Sequence, residues 1–223
     1  MRTRHVLFPG LALAAVLLAW ALSTGHSPAE AEQPAGPEQQ AGHETAIFAG
    51  GCFWCVESDF DKVPGVVTTV SGYIGGKSKD PTYKQVTAGG TGHIEAVKIT
   101  YDPDKVTYKR LLDIFWRSVD PTDAGGQFCD RGESYQTTVF AVDAAQKRAA
   151  EASKAALQTS GKLEDPIVTP IRSAGPFYAA EDYHQDYYKK NPFRYRLYRL
   201  GCGRDARVKA LWGDEAHGGV PHS

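Results

Sequence analysis

Two cysteines three residues apart, Cys52 and Cys55, are the residues of this sequence best suited to covalent chemistry. Cys52 follows an apolar run at 46–49 and a glycine pair, and it precedes a segment typical of a helix. A thiol at such a junction meets unpaired N–H groups and the positive end of the helix dipole, which lower its pKa and make it a nucleophile. The other interpretation is a buried, inert cysteine packed against Phe53 and Trp54. The motif alone favours neither.

Glu95 is the best candidate for an acid that works beside this thiol. The stretch 94–101 alternates as a strand does, and Glu95 shares a face with Val97, Ile99 and Tyr101. That face is expected to be interior, where burial raises the pKa of a carboxyl and keeps it protonated near neutral pH. The other interpretation is a structural carboxylate paired with a lysine or an arginine.

Three phenols next to glycine-rich loops, Tyr73, Tyr83 and Tyr135, could donate a hydrogen bond to an oxygen of a substrate. A single tyrosine is more often a packing residue, so these three remain candidates by type. The long segment 119–134 contains no predicted element, and a loop of this length in a compact domain is usually functional.

The elements that must position these residues follow from hydrophobic periodicity and turn residues. Strands are predicted at 45–49, 66–70, 94–101, 135–142 and 167–171, and helices at 53–63, 107–118, 143–159 and 181–190. Two β-α-β units in succession predict an α+β fold: a two-layer, split βαβ (ferredoxin-like) core with a mixed or antiparallel sheet, extra helices and a long coil C-terminal tail. The sequence shows no repeat and no phosphate-binding loop.

The composition indicates one globular domain. With a net charge of −1 over 223 residues, nothing points to nucleic acid as a partner, and four cysteines are too few for a disulfide scaffold. We expect a monomer.

The N-terminus predicts export. Basic residues precede an uncharged run at 6–22, which is typical of a secretory signal or a short anchor. The predicted organisation is a signal peptide or membrane anchor at 1–31, a disordered linker at 32–43, one catalytic domain at 44–213 and a disordered tail at 214–223. The protein is therefore expected in the periplasm, released or membrane-anchored.

Taken together, several blocks resemble the peptide methionine sulfoxide reductase A family, in that family's order, over about residues 45–212. They are Gly51-Cys52-Phe53-Trp54, Gly72-Tyr73-Ile74-Gly75-Gly76, Pro81-Thr82-Tyr83, Thr91-Gly92-His93-Ile94-Glu95-Ala96-Val97, Asp120-Pro121-Thr122, Asp130-Arg131-Gly132 followed by Tyr135, and His184-Gln185 with Lys190-Asn191-Pro192.

The resemblance implies a role for each matching residue. Cys52 would be the nucleophile, Phe53 and Trp54 the holders of the substrate S-methyl group, Glu95 the acid, Tyr83 and Tyr135 the phenols that bind the sulfoxide oxygen, and Asp130 a polar support. It also implies selectivity for the S epimer of methionine sulfoxide in oxidised proteins. No metal and no cofactor are expected, because an external thioredoxin-like dithiol would reduce the enzyme.

The second thiol of the cycle is left open. Cys202 in a glycine pair on a flexible tail, Cys55 one helical turn from Cys52, and Cys129 next to Asp130 are all candidates for the resolving cysteine. Cytosolic thioredoxin cannot reach an exported enzyme, so the reductant is expected to be exported too.

Three other kinds of protein could use cysteines in such a pattern. A CxxC thiol-disulfide oxidoreductase would use Cys52 and Cys55 alone, but it usually has a thioredoxin-type context that the sequence does not show. A structural zinc module would need a second close ligand pair, which is missing. A cysteine hydrolase would need a histidine, for which His93 and His184 are candidates only by type.

Overall fold

The computed structural model describes residues 42–221, which belong to one compact unit. Its strands are β1 (Glu44–Ala49), β2 (Val66–Ile74), β3 (Ile94–Tyr101), β4 (Gly126–Gln127), β5 (Asp130–Arg131), β6 (Thr138–Ala141), β7 (Ile171–Ser173) and β8 (Phe177–Ala179). Its helices are α1 (Phe53–Phe60), α2 (Tyr83–Thr87), α3 (Tyr108–Trp116), α4 (Ala144–Thr159), α5 (Tyr187–Lys190), α6 (Pro192–Gly201) and α7 (Arg204–Trp212), with short 3-10 helices at Glu133–Tyr135 and Gly213–Glu215.

Six strands form one mixed sheet in the order β7-β6-β1-β3-β2-β8, while β4 and β5 make a separate hairpin. Every neighbouring pair in the large sheet is antiparallel except β6 and β7. The register places Phe48 opposite Val97, and Tyr73 opposite Glu95. The end of β1 therefore leads into α1 close to the point where β3 begins.

The main core lies between one face of this sheet and the helices. Helix α1 contributes Val56 and Phe60, and α3 contributes Leu112 and Phe115, all nearly inaccessible to solvent. Phe48 of β1 stacks on Phe115 with ring centroids 4.9 Å apart. The opposite face carries a smaller cluster made of Ile47, Ala49, Ile74, Ile94, Ala96 and Phe140. The architecture is thus α+β, as predicted.

The strands and helix starts around the core confirm most of the predicted elements. Residues 94–101 form β3, and Thr107 and Asp143 cap α3 and α4 by accepting the backbone N–H three residues on. Strand β2 extends four residues beyond its predicted end, because Ser71–Ile74 pair with β3 and β8. Pairing with strands that are distant in the sequence leaves little trace in the local residue pattern, so the end of β2 could not be predicted.

Other predicted boundaries were wrong for local reasons. Residues 83–87, predicted as loop, form α2, because Thr82 and Gln85 make a reciprocal capping box. The strand predicted at 167–171 begins only at Ile171, after Pro170, which has no N–H to pair. In the helix predicted at 181–190, Asp186 adopts a left-handed φ of +52°, so helix forms only from Tyr187.

The predicted coil C-terminal tail was also wrong, because residues 192–212 form α6 and α7. Pro192 occupies the first turn of α6, where its missing N–H costs nothing, and Tyr195, Val208 and Trp212 are buried against the domain. The sequence shows no clear apolar periodicity in these helices, because aromatic and basic side chains make most of their contacts with the domain.

Residues of the predicted disordered tail at 214–223 contact the domain where the structure describes them, up to residue 221. Glu215 accepts two hydrogen bonds from Arg117 of the segment after α3, and Val220 is buried. The predicted signal peptide or anchor, and the linker up to residue 41, lie outside the described residues. Within 42–221, no helix combines the length and apolarity that crossing a membrane requires.

Candidate active site

Cys52 occupies the N-cap position of α1, at the junction with β1 that the sequence predicts. The turn before it requires glycine, because Gly51 has a φ of +82° and an added Cβ would come within 2.6 Å of the Gln127 side chain. The carbonyl of Gly50 accepts a hydrogen bond of 2.9 Å from the buried guanidinium of Arg204. Residues of α7 and of the β4–β5 hairpin therefore fix the turn that presents the thiol.

The Cys52 thiol does not have the low pKa that the helix dipole predicts. It is 7% exposed, and burial raises its pKa well above the usual value, with the neighbouring Cys55 and Glu95 adding to the effect. The dipole argument was wrong here because desolvation of a thiolate outweighs a partial charge at one helix end. In the resting site, Cys52 therefore holds its proton.

Cys55 is the thiol whose pKa is lowered. The neighbouring Cys52 side chain lowers this pKa by more than burial raises it, and the guanidinium groups of Arg204 and Arg199 add to the lowering. Both cysteines are free and buried. The two thiols thus lie one helical turn apart at the start of α1, where the backbone N–H of Cys55 donates to the Cys52 carbonyl at 3.1 Å.

Glu95 lies where the strand pattern predicts, with its carboxyl in the interior. Its Oε2 accepts a hydrogen bond of 3.0 Å from the backbone N–H of Phe53, the first residue of α1. Burial raises the pKa of this carboxyl to about 8, although the Phe53 hydrogen bond opposes the shift. An acid that is mainly protonated at neutral pH is therefore bound to the residue after Cys52, and within residues 42–221 no lysine or arginine forms a salt bridge with it.

Phe53 and Trp54 form an aromatic group with His184 and Tyr187. The Trp54 indole N–H donates to Nδ1 of His184 at 3.0 Å, and its ring stacks on Tyr187 with centroids 3.7 Å apart. The Phe53 ring lies 4.9 Å from the His184 ring. Burial lowers the pKa of His184, which keeps Nδ1 available as an acceptor. His184 is therefore a packed residue that orients Trp54, rather than a base for a cysteine.

Tyr83 and Tyr135 lie near each other at the same site, since the side chain of each contributes to the pKa shift of the other. Tyr83 is held by its backbone N–H, which donates to Glu181 at 2.9 Å, and its ring lies 4.4 Å from His184. Burial raises the pKa of Tyr83 to about 12, and burial raises the pKa of Tyr135 as well. Both phenols are therefore hydrogen-bond donors at neutral pH.

Tyr73, the third phenol candidate, is not available to a substrate. It is fully buried, and its hydroxyl donates to Glu181 at 2.8 Å. His93 is likewise structural, since its ring nitrogens contact the backbone of Gly76 and Ser78.

Asp130 is linked to the site by Tyr198, a residue that the sequence patterns did not single out. The Tyr198 hydroxyl of α6 donates a hydrogen bond to Oδ2 of Asp130, and the Tyr198 ring lies edge-on to Trp54. Burial raises the pKa of Asp130, and the Tyr198 hydrogen bond opposes this. The spacing of Tyr195, Tyr198 and Cys202 fits one helical face, which was the available signal.

The remaining two cysteines are bonded to each other. Cys129, in the turn of the β4–β5 hairpin, forms a disulfide with Cys202, the C-cap residue of α6. Cys202 is therefore not on a flexible tail as expected, and neither residue offers a thiol in this structure. Cys129, Asp130 and Cys202 lie close enough together to bind a metal ion, but the two cysteine sulfurs are bonded to each other in the disulfide.

Chemically, the arrangement is that of a thiol-dependent oxidoreductase. It places a nucleophilic sulfur, a protonated acid, an aromatic surface and two phenols around one point, next to a second thiol. A substrate that accepts a proton on oxygen while sulfur attacks sulfur would use every one of these groups.

Comparisons with known proteins agree with this chemistry. Residues 44–216 match the family model for peptide methionine sulfoxide reductase. The chain is 53% identical over 186 residues to "Peptide methionine sulfoxide reductase MsrA 2" of Rhizobium meliloti, covering 83% of this chain and 92% of that protein. It is 54% identical over 170 residues to the MsrA of Bacillus subtilis, covering 76% and 96%.

Solved structures give the same result for the fold. Reduced Mxr1 of Saccharomyces cerevisiae superposes with a TM-score of 0.64 at 32% identity, covering 70% of this chain and 89% of that chain. Methionine sulfoxide reductase A of Corynebacterium diphtheriae gives 0.62 at 34% identity, covering 69% and 77%. The chain belongs to the peptide methionine sulfoxide reductase family, in its A class, and is an enzyme that reduces methionine sulfoxide in oxidised proteins. The CxxC oxidoreductase alternative is not favoured.

Proposed function

We propose that Cys52 is the nucleophile and Glu95 the general acid of this reduction. The sulfur of Cys52 attacks the sulfoxide sulfur while the Glu95 carboxyl protonates the sulfoxide oxygen, and the Cys52 proton returns to the carboxylate. The products are methionine and a Cys52 sulfenic acid. The observation that carries this assignment is the hydrogen bond of 3.0 Å between Phe53 N–H and Glu95, which holds a protonated carboxyl beside the thiol.

The aromatic and phenolic groups supply recognition. Phe53 and Trp54 bind the S-methyl group, and Tyr83 and Tyr135 donate to the sulfoxide oxygen. The proposal includes selectivity for the S epimer, with the methyl group and the oxygen each bound by a different group of side chains. Asp130 supports the site through Tyr198.

Cys55 is the resolving cysteine in this proposal. Its sulfur attacks the Cys52 sulfenic acid, a Cys52–Cys55 disulfide forms, and water leaves. Cys55 is a free thiol one helical turn after Cys52, and its lowered pKa also supports this choice. The Cys129–Cys202 disulfide argues against the other two candidates.

An external thioredoxin-like dithiol completes the cycle by reducing the Cys52–Cys55 disulfide. Basic residues before the apolar run at 6–22 support export to the periplasm, either after cleavage at 29–31 or with the segment kept as an anchor. The reductant is then a periplasmic one. We also propose that the enzyme acts as a monomer.

We also assign the finer fold class from the strand order. In the central order β6-β1-β3-β2, the strands joined by α1 (β1 and β2) are separated by β3, and those joined by α3 (β3 and β6) are separated by β1. Two interleaved units of this kind are the pattern of a split βαβ, ferredoxin-like core.

The test is one turnover with a peptide that contains methionine S-sulfoxide, without reductant, followed by peptide mass spectrometry. The expected result is one methionine per enzyme and a new Cys52–Cys55 disulfide, with Cys129–Cys202 unchanged. Cys55→Ser should still release one methionine but stop at a sulfenic acid, which dimedone labels. A peptide with the R epimer is the control. No methionine from the S epimer would refute the reductase assignment, and a new bond from Cys52 to Cys129 or Cys202 would refute Cys55.

A further inference from the structure

The carboxylate of Glu181, in the segment between β8 and α5, fixes the start of the helix that carries Tyr83. Its Oε1 accepts the backbone N–H of Tyr83 at 2.9 Å, and its Oε2 accepts the hydroxyl of Tyr73 at 2.8 Å. Tyr83 begins α2 and Tyr73 lies in β2, so one side chain joins three parts of the chain that are distant in sequence. The first N–H groups of a helix have no partner inside it, and Glu181 supplies one from outside.

The backbone of Glu181 also fixes His184, which contacts both groups of substrate-binding side chains. The backbone N–H of His184 donates to the carbonyl of Glu181 at 2.8 Å, which closes a turn. The His184 ring lies 4.4 Å from the Tyr83 ring and 4.9 Å from the Phe53 ring, between centroids. Its Nδ1 accepts the Trp54 indole N–H at 3.0 Å. This turn therefore contacts the phenol for the oxygen and the aromatic rings for the methyl group at once.

We propose that Glu181 is a positioning residue for the reduction: it holds the Tyr83 phenol at a fixed distance from Phe53 and Trp54, so that the oxygen and the methyl group of one sulfoxide are bound together. This inference rests on the roles of Tyr83, Phe53 and Trp54 in the proposed function. Glu181 itself neither touches the substrate nor transfers a proton.

The charge of Glu181 suits this role, because both of these partners are donors. Burial would raise its pKa, but the hydrogen bonds from Tyr83 and Tyr73 lower it by more, so the net shift is downward. Glu181 is therefore ionised at neutral pH, whereas Glu95 keeps its proton. Hydrogen bonds to an ionised acceptor are roughly twice as strong as those between neutral groups, so Glu181 anchors the start of α2 firmly.

The segment that carries Glu181 has other attachments, so its own position does not depend on this carboxylate alone. The side-chain amide of Gln185 exchanges two hydrogen bonds of 2.9 Å with the backbone N–H and carbonyl of Ser71. The backbone N–H of Asp186 donates to Oε2 of Glu57 at 3.0 Å. Removal of the Glu181 carboxylate is therefore expected to release the start of α2 rather than to unfold the segment.

Glu181→Ala tests the proposal, with Glu181→Gln as the conservative variant and Glu44→Ala as the matched control. In Glu181→Gln, the side-chain oxygen can still accept the Tyr83 N–H, and the amide can donate to the Tyr73 oxygen. Glu44 also accepts the hydroxyl of a fully buried tyrosine, Tyr101, at 2.5 Å. It is the first residue of β1, however, whereas the site follows the last.

The first measurement is hydrogen exchange of the Tyr83 backbone amide, followed by NMR. Glu181→Ala should exchange at least about tenfold faster than the parent, because the carboxylate acceptor is gone. Glu181→Gln and Glu44→Ala should stay close to the parent. Unchanged exchange in Glu181→Ala would overturn the proposal. Exchange needs no sulfoxide, so it tests the anchoring of Tyr83 even if the sulfoxide assay refuted the proposed function.

The second measurement is kcat and KM for a methionine S-sulfoxide peptide in Glu181→Ala, in Tyr83→Phe and in the double variant. Glu181→Ala should lower kcat/KM about 10- to 100-fold, because the phenol is displaced from the sulfoxide oxygen. Tyr83→Phe should then cost much less in the Glu181→Ala background than in the parent, since a displaced hydroxyl has little left to lose. Glu181→Gln should recover most of the activity, and Glu44→Ala should match the parent. Losses that multiply independently would show that Glu181 does not act through Tyr83.

Glu181→Asp replaces the alanine variant if thermal unfolding shows that Glu181→Ala does not fold. Aspartate keeps the charge but is one carbon shorter, so it cannot hold Tyr83 and Tyr73 at the same time. Faster exchange of the Tyr83 amide and the same non-additive loss with Tyr83→Phe are expected. Exchange and kcat/KM equal to those of the parent would overturn the proposal.

Discussion

The backbone N–H of Phe53 donates to Oε2 of Glu95 at 3.0 Å, which joins the start of β3 to the first turn of α1. This contact places an acid with a pKa of about 8 next to a thiol whose pKa burial also raises. The resting site therefore keeps both protons, and in the proposed mechanism they are transferred only when a sulfoxide oxygen is there to take one of them. The predictions below depend on this relationship and on the contacts that maintain it.

Glu95→Gln should slow sulfoxide reduction by about 10²- to 10⁴-fold, because the amide keeps the shape of the side chain but cannot give a proton to oxygen. Single-turnover release of methionine measures this step directly. Cys52 should remain reactive towards iodoacetamide, which controls for misfolding. Reduction at the parent rate would remove Glu95 from the role of acid.

Glu95 should also make stability depend on pH with a definite sign. Its folded pKa of about 8 lies above the ordinary 4.5, so folding takes up a proton between these values and stability falls as pH rises through this window. The slope should be roughly 1.4 kcal/mol per pH unit at most. Urea unfolding of the parent and of Glu95→Gln from pH 5 to 9 isolates the effect. The difference should favour Gln increasingly up to about pH 8 and then level off; a constant difference would contradict the raised pKa.

Gly51→Ala should lower both stability and activity, because the new Cβ would meet Gln127 at 2.6 Å in a backbone with φ of +82°. Gly161→Ala is the matched control, since Gly161 has a φ of +68° with nothing within 4 Å of the added carbon. The control should lose about 1 kcal/mol, whereas Gly51→Ala should lose distinctly more. Thermal unfolding and kcat/KM measure the two effects, and equal losses would show that the contact with Gln127 has no effect.

Arg204→Met should destabilise the protein by roughly 3–5 kcal/mol, because a buried guanidinium that binds the carbonyls of Gly50 and Ser118 is lost. Arg207→Met, on the next turn, removes a half-exposed arginine that pairs with Asp120, and it should cost less than about 1 kcal/mol. Chemical denaturation compares the two. Similar costs would mean that Arg204 does not support the catalytic turn.

Much of this site could be read from local patterns. The apolar run, the glycine pair and Cys52 predict a strand-to-helix junction, and β1 and α1 have that order. The alternation in 94–101 places Glu95 inside, and the structure confirms its burial. These predictions succeeded because strand periodicity and helix capping depend on residues only a few positions apart.

The C-terminal helices α6 and α7 could not be predicted from local patterns. Tyr195, Tyr198 and Arg204 face the domain through contacts with residues more than fifty positions earlier, such as Asp130 and Gly50. Neither an apolar stripe nor a cap identifies them, since their burial depends on partners that only the fold brings near. The same holds for the pairing of Cys129 with Cys202, 73 residues apart.

The sequence by itself determined the nucleophile candidate, the acid and the family resemblance, because each depends on residue type and short-range order. The tertiary structure decided the protonation of Cys52, the partner of each remaining cysteine and the place of Tyr198. Those properties arise from burial and from long-range contacts. The physical reason is that a pKa depends on the groups around a side chain, and these groups come from β3, the β4–β5 hairpin and α6, far apart in the chain.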